Sequence, residues 1–357
     1  MDHLLRRGAH APLQNSSVQF ARKSRMSTSR NSVAAYHALK RSIERQISIS
    51  RFSHIFYRRD RVLCPFRRVY CPLHSLFRTV RYFTDVRIRD VVKNIRVTAV
   101  QMCSKVSDPY GNISLMERFV SEHSDSDIIC FPEMCLSGYS SKDPDRFALT
   151  RDSDPVLRVC DMSSRYGCSI VFGYIEPENG SLYLHQEIVE PSGERHHYRK
   201  CHLGQAEAAV FSVGNDLPVF DIGGVCVGLH LCTESHIPEV CMTFRNKGAE
   251  LVIVPFANGI AGERRRDTWH RYLPARANDN GMFVVGCSAS GDNGNGAVFG
   301  GGLIAIDPKG RIMDEYYGDD DHSITVDIGG RLPRDGPETM MCISYFDRRR
   351  PELYSFK

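Results

Sequence analysis

The chain reads as an α/β protein built on a mixed sheet, or on two stacked sheets, with helices on the outer faces. Two observations predict this class. From residue 94 onward nine short apolar runs rich in β-branched residues alternate with amphipathic stretches, and 42% of the 357 residues are hydrophobic, enough for a sizeable core. The order is βαβαβ, then a central hairpin, then βαβα and closing strands, which stacks helices against sheets.

Each element has a local reason. Residues 95–102, 127–132, 169–175, 182–189, 225–231, 251–256, 283–288, 302–306 and 323–328 are the strands, bounded by Gly or Pro. Residues 113–123 place Ile113, Met116, Phe119 and Val120 on one helical face, and 156–165 and 238–247 repeat that spacing. Pro238 suits a helix's first turn, where its missing N–H has no partner in any case, and Gly248 is placed to end the helix. A fourth helix is predicted over 265–280, with Pro274 limiting or kinking it.

Charge divides the chain in two. Residues 1–95 hold 20 Lys and Arg against 5 Asp and Glu, leaving 26 basic and 37 acidic residues for the remainder. The first 93 residues lack sustained periodicity, apart from a short amphipathic stretch at 33–49, and read as a basic, disordered extension. An organellar transit segment, a nucleic-acid or anionic-surface arm, and an over-extended start before a protein beginning near Val91 or Val92 all fit that composition. The expected domain is therefore 94–357. No run of about 18 apolar residues predicts a membrane helix, and a cytoplasmic location is expected unless the first 93 residues are a genuine transit segment.

Thirteen cysteines occur with no CxxC pair and no histidine at zinc-finger spacing. Buried free thiols in a reducing compartment explain them better than disulfides or a metal site.

Three strand ends carry chemistry. The run Ile128-Ile-Cys-Phe-Pro-Glu133 stops at a proline and presents Glu133, and Tyr198-Arg-Lys-Cys-His-Leu203 follows the hairpin and presents Lys200. The third, Gly228-Leu-His-Leu-Cys232, ends in a thiol followed by a polar turn and a Pro-Glu helix start. A carboxylate, an amine and a thiol on one edge supply a general base, a cation for an oxyanion and a nucleophile. Each is an ordinary surface or core residue when taken alone. His230 and His236 allow a Cys-His pair, but His230 alternates with its strand and is expected to be packed. Lys200 and a helix amino terminus are expected to give Cys232 thiolate character.

In these residues the sequence resembles the nitrilase superfamily of carbon-nitrogen hydrolases, whose Glu-Lys-Cys triad has the same chain order. Phe131-Pro-Glu133 with Leu136-Ser-Gly-Tyr139 is similar to the family's first motif, and Lys200-Cys-His-Leu203 with Phe211 and Gly214 to its second. Cys232, Pro238-Glu239, Arg245, Gly248-Ala-Glu250 and Pro255 are similar to its third. Trp269, Ala275-Arg-Ala277, Asp279-Asn280, the Phe299-Gly-Gly-Gly-Leu segment, Asp307-Pro-Lys-Gly310 and Arg349-Arg-Pro-Glu-Leu-Tyr354 follow the later pattern.

The resemblance implies a four-layer αββα sandwich, paired into homodimers or higher homo-oligomers, with no metal or organic cofactor. It implies that Glu133 takes the proton of Cys232 and later activates water, and that Lys200 and the N–H of Thr233 hold the oxyanion. Glu207 would position the substrate or the base. The substrate would be a small polar amide or N-carbamoyl amine, with water as co-substrate. Thr233-Glu234 after the nucleophile, where true nitrilases carry Trp-Glu, lowers the expectation of a nitrile, and a catalytically silent scaffold with a basic arm is the rival from another class. Tyr139, Phe256, Ala257 and Asn258 are the expected substrate-binding positions. Arg264, Arg265 and Arg266 would either attract a substrate carboxylate or form a solvated helix start.

Overall fold

The computed structural model describes residues 94–329, 346 and 349–354. The basic extension over 1–93, its stretch at 33–49, and Cys64, Cys71 and Cys342 lie outside the described residues.

Two six-stranded sheets form the centre of the fold. The first runs β14-β1-β2-β3-β4-β5 and the second β13-β12-β9-β8-β7-β6. Their strands are β1 (Ile95–Gln101), β2 (Ile128–Cys130), β3 (Ser169–Glu178), β4 (Ser181–Val189), β5 (Arg195–Arg199), β6 (Val219–Ile222), β7 (Val225–Leu229), β8 (Leu251–Phe256), β9 (Phe283–Ser288), β12 (Leu303–Ile306), β13 (Ile312–Tyr316) and β14 (His322–Ile328). A separate small ribbon pairs β10 (Ser290–Asp292) with β11 (Val298–Gly300). The helices are α1 (Pro109–Glu122), α2 (Asp154–Tyr166), α3 (Pro238–Asn246) and α4 (Gly262–Asn280).

Three apolar clusters make the layers αββα. The central one joins Val97, Ile128, Val171 and Ile188 of the first sheet to Val227, Ile253, Val285 and Leu303 of the second. Alternate residues of the first sheet, such as Ile129, Ile170 and Phe172, face Met116 and Phe119 of α1 and Val159 and Met162 of α2. The same alternation in the second sheet sets Val252, Val254, Val284 and Ile304 against Phe244 of α3 and Trp269 and Leu273 of α4. Strands buried on both faces read as continuous apolar runs, which is why the sequence shows them so clearly.

Helix α3 starts at Pro238 as predicted, while α1, α2 and α4 start two to four residues earlier than the periodicity predicts. α1 opens at Pro109 because the Asp108 side chain accepts from the Gly111 N–H at 2.9 Å and caps it. Pro274 neither ends nor divides α4, which runs on to the left-handed Gly281. Strands β5, β6 and β13 were not among the predicted runs; they are edge strands, β5 and β13 mixing polar and half-exposed residues and β6 only four residues long, so they carry no sustained apolar signal. Among the described residues no helix is long and apolar enough to cross a membrane, and all ten described cysteines are free.

Candidate active site

β2 and β7 lie in parallel ladders, one in each sheet, and each delivers a functional residue just past its carboxyl end. Glu133 follows Pro132, and the turn it opens packs directly onto β3. Gly173 permits that approach, because a Cβ there would sit 2.7 Å from the Met134 nitrogen. The Leu136 N–H then donates to the Gly173 carbonyl at 2.9 Å.

Lys200 follows β5, the edge strand, and is held by the loop that crosses it. The Lys200 N–H donates to the Leu184 carbonyl at 3.0 Å, and the Gly214 N–H donates to the Lys200 carbonyl at 2.8 Å. A Cβ on Gly214 would meet the Arg199 carbonyl oxygen at 2.2 Å, so only glycine fits at this crossing.

Cys232 opens a single 3-10 turn, Cys232–His236, between β7 and α3. Its φ of 39° lies in the left-handed region, uncommon for a residue with a Cβ and a form of backbone strain that gathers at functional sites. Glu234 anchors the turn. Its Oε2 accepts from the Leu231 N–H at 2.8 Å, and its Oε1 accepts from the Tyr198 hydroxyl at 2.6 Å and from the N–H groups of Cys201 and His202 at 2.9 and 3.1 Å. One buried carboxylate thus ties the Cys232 turn to the segment that carries Lys200.

The side chains converge. Lys200 Nζ donates to Glu133 Oε1 at 2.9 Å and to Glu207 Oε1 at 2.7 Å. Glu207 Oε1 also accepts from the Tyr139 hydroxyl at 2.9 Å, and its Oε2 accepts from the Gly204 N–H at 2.6 Å. Glu133 and Lys200 are each 1% exposed. Glu133 Oε2 is buried and receives no hydrogen bond from the protein.

Burial pushes the Glu133 carboxyl up to about 7, with the Lys200 ammonium opposing and the Glu207 charge reinforcing the shift. Burial alone would lower the Lys200 value, but the charges of Glu133, Cys232 and Glu207 raise it, so Lys200 is a firm cation. The Cys232 thiol is pushed up to about 11 by burial and then by the Glu133 charge, against Lys200 and a contact from Asn258. Lys200 pulls toward a thiolate, as expected, but burial and the Glu133 charge outweigh it, so Cys232 rests as a thiol.

Of the expected substrate-binding positions, Asn258 reaches the thiol, and Tyr139 and Ala257 pack together with Phe299. Asn258 Nδ2 lies 3.5 Å from Cys232 Sγ. The Tyr139 ring meets Phe299 edge to face at 5.8 Å, and Ala257 packs with Ala289 and Phe299. Phe256 lies in the helical-layer cluster, which also holds Cys232. On β8 the alternate residues Val252, Val254 and Phe256 face the helical layer, and the Phe256 ring is 4.7 Å from Trp269 and 1% exposed. Thr233 sits exposed beside the thiol, its hydroxyl donating to the His202 carbonyl at 3.3 Å.

His230 is the packed core residue its alternation predicts. It is fully buried, stacks on Phe244, and burial pushes it down to about 3, so it stays neutral. Sequence reasoning missed Phe299, on β11, and Ala289, just before β10, as site residues, and it left Arg265 either attracting a substrate carboxylate or in a solvated helix start. Arg265 is 1% exposed, while Arg266 pairs with Glu315 at 3.1 Å. The glycines after Phe299 are the one sequence signal for this close packing.

A buried thiol, carboxylate and ammonium thus lie just past the strand ends of an αββα sandwich. Comparison with known proteins bears on the same point. The carbon-nitrogen hydrolase family model matches residues 96–329. The chain is 30% identical over 269 residues to the "Hydrolase in pqqF 5'region" of Pseudomonas protegens, covering 74% of this chain and 92% of that protein. It is 29% identical to an (R)-stereoselective amidase of Pseudomonas sp., covering 66% and 85%. Among solved structures, a glutamate-to-glutamine mutant of the amidase from Nesterenkonia sp. AN1, with acrylamide added at its active-site cysteine, superposes with a TM-score of 0.62 at 26% identity, covering 72% of this chain and 98% of that one. The chain belongs to the carbon-nitrogen hydrolase family, within the nitrilase superfamily. It is a hydrolase of non-peptide carbon-nitrogen bonds.

Proposed function

We propose that the protein hydrolyses a small polar amide or N-carbamoyl amine through a thioester on Cys232. The observation that carries this reading is the Glu133–Lys200–Glu207 arrangement beside Cys232, which leaves one glutamate oxygen and one ammonium N–H uncommitted. An ammonium has three N–H groups and two are used. The third is available for an oxyanion.

In the first half-reaction Glu133 Oε2 takes the proton of Cys232, and Sγ attacks the substrate carbonyl carbon. The oxyanion is held by Lys200 Nζ and the N–H of Thr233. As the carbon-nitrogen bond breaks, Glu133 returns its proton to the departing ammonia or amine, leaving a thioester. In the second, Glu133 deprotonates water, which attacks the thioester carbonyl, and the sulfur leaves as thiol with that proton. Because Cys232 rests as a thiol, the base is required at every turnover. Glu207, with all its contacts to Lys200, Tyr139 and Gly204, positions the cation. Amidase-named relatives and the acrylamide-modified neighbour support the amide class. Pairing into homodimers belongs to the same reading and is read by light scattering.

The test is ammonia release from a panel of short aliphatic amides, N-carbamoyl amines and nitriles. Wild type is expected to act on an amide or carbamoyl amine, and Cys232→Ala to lose turnover with an unchanged circular dichroism spectrum. Retained turnover in Cys232→Ala, or release from nitriles alone, would overturn the reading.

A further inference from the structure

Arg265 brings a positive charge into the wall behind Cys232, and the reaction above makes no use of it. The side chain sits in the first turns of α4, 1% exposed, and among the described residues it forms no ion pair. Its Nε donates to the Gly301 carbonyl at 2.9 Å, and Nη2 donates to the Asn258 carbonyl at 3.2 Å and the Ser288 hydroxyl at 3.1 Å. The guanidinium lies over the Trp269 ring at 4.8 Å. Leaving a buried cation without a counter-ion is unfavourable, and an apolar residue of similar volume would fill the same layer. The placement therefore calls for a reason beyond packing.

That reason is the segment it grips. The Asn258 carbonyl accepts from Arg265 on one side and from the Gly300 N–H at 3.1 Å on the other. Asn258 Oδ1 accepts from the Ile260 N–H at 3.2 Å, which assigns the amide: its oxygen is occupied, so its N–H group faces Cys232 Sγ at 3.5 Å. The glycines after Phe299 make room for this. A Cβ on Gly302 would meet Trp269 at 3.0 Å and Arg265 at 3.1 Å. The fork, the asparagine and the sulfur form one continuous chain of contacts.

We propose that Arg265 is a positioning residue for the nucleophile: it holds the Asn258 backbone so that the Asn258 amide donates to the Cys232 sulfur as that sulfur gains negative charge. This rests on the thioester reading above and adds a residue to it. Lysine at 265 keeps the charge but loses the planar fork that grips several acceptors at once. Charge and positioning are thereby separable.

The experiment follows alkylation of Cys232 by iodoacetamide, resolved by peptide mass spectrometry, with Cys103 in the same digest as the control, alongside kcat and KM. Arg265→Lys is expected to slow Cys232 alkylation near neutral pH about tenfold and to lower kcat about tenfold with KM unchanged, the size expected for one hydrogen bond to a charged sulfur. In an Asn258→Ala background the same substitution is expected to add less than about twofold, since its route is already gone. Should Arg265→Lys not fold, Ser288→Ala, which removes one guanidinium acceptor, takes its place in the same cycle with an expected two- to threefold fall, roughly the lower end for one neutral hydrogen bond. Wild-type alkylation rates in the substituted protein, or an effect that multiplies undiminished on Asn258→Ala, would overturn the inference alone. A wild type that turns over no amide or N-carbamoyl amine, with no acyl adduct on Cys232 by mass spectrometry, would overturn the thioester reading and this inference with it.

Discussion

Two sets of buried carboxylates on neighbouring strands of the first sheet end in opposite electrostatic states. Glu133, past the end of β2, shares one ammonium with Glu207, and burial dominates, holding its carboxyl at about 7. On the outer face of β3 and β4, Glu176 and Glu187 are equally buried at 4% and 0% exposure. Burial pushes Glu176 up too, but contacts from His185 and Arg199 outweigh it and hold the carboxyl down to about 2. Glu187 is likewise held below the usual range, burial being outweighed by Arg195 and the Tyr174 hydroxyl. The Arg199 Nε donates to Glu176 at 2.7 Å and the Tyr174 hydroxyl donates to Glu187 at 2.7 Å. Burial does not decide what a carboxylate does; the number of donors aimed at it does. The saturated pair serves the fold, and the half-satisfied one is poised to exchange a proton.

Substitutions can break that comparison, beginning with the largest effect. Glu133→Gln is expected to cut kcat by about 10²- to 10⁴-fold, the span for loss of a general base. In the wild type, activity should rise with pH through about 7, because below that value Glu133 is protonated and cannot accept the thiol proton. Since its folded-state value is raised, ionising it removes stability as pH rises through about 7, so Glu133→Gln is expected not to lower the melting temperature at alkaline pH. A lowered melting temperature would place Glu133 with the structural set.

Lys200→Ala removes the cation that both site carboxylates share. It is expected to abolish turnover and to cost about 3–5 kcal/mol, as for one partner of a buried ion pair, read by denaturant unfolding. Full stability with lost activity would mean that one of the carboxylates takes up a proton instead.

Glu176→Gln tests the other set. It should leave kcat and KM unchanged and cost about 1–3 kcal/mol near pH 7. Because the folded-state value is lowered, that contribution is present above the ordinary 4.5 and disappears as pH falls toward about 2, so wild type and variant should converge in acid. Convergence at alkaline pH instead would reverse the assignment.

The smallest effect belongs to Tyr139→Phe, which removes a single hydrogen bond to Glu207. A loss of about 0.5–1.5 kcal/mol is expected in transition-state binding, read as a fall of several-fold in kcat/KM. An effect as large as that of Glu133→Gln would make the hydroxyl a participant in proton transfer.

Much of this site was legible in the chain. Glu133 and Cys232 each follow an apolar run that stops at a turn signal, and such stops are local events that spacing reveals. The β5 strand before Lys200 was not legible, since Arg195-His-His-Tyr-Arg199 is an edge strand whose polar side chains carry no apolar alternation. Phe256 was assigned to the substrate face because it closes a strand beside the thiol; which side of β8 it takes depends on the layer packed against it. Arg265 illustrates the same limit from the other direction, as one of three consecutive arginines distinguished only by which one turns inward.

The sequence by itself determined the two-layered pattern of apolar runs, the helix start at Pro238, and the identity and order of the three reactive groups, because these depend on neighbours along the chain. The tertiary structure decided the protonation states, the strained Cys232 turn, the approach of the Asn258 amide to the thiol, and the burial of Arg265. Those depend on how many donors, charges and water-free surfaces segments far apart in sequence bring to one point, and no local pattern records that count.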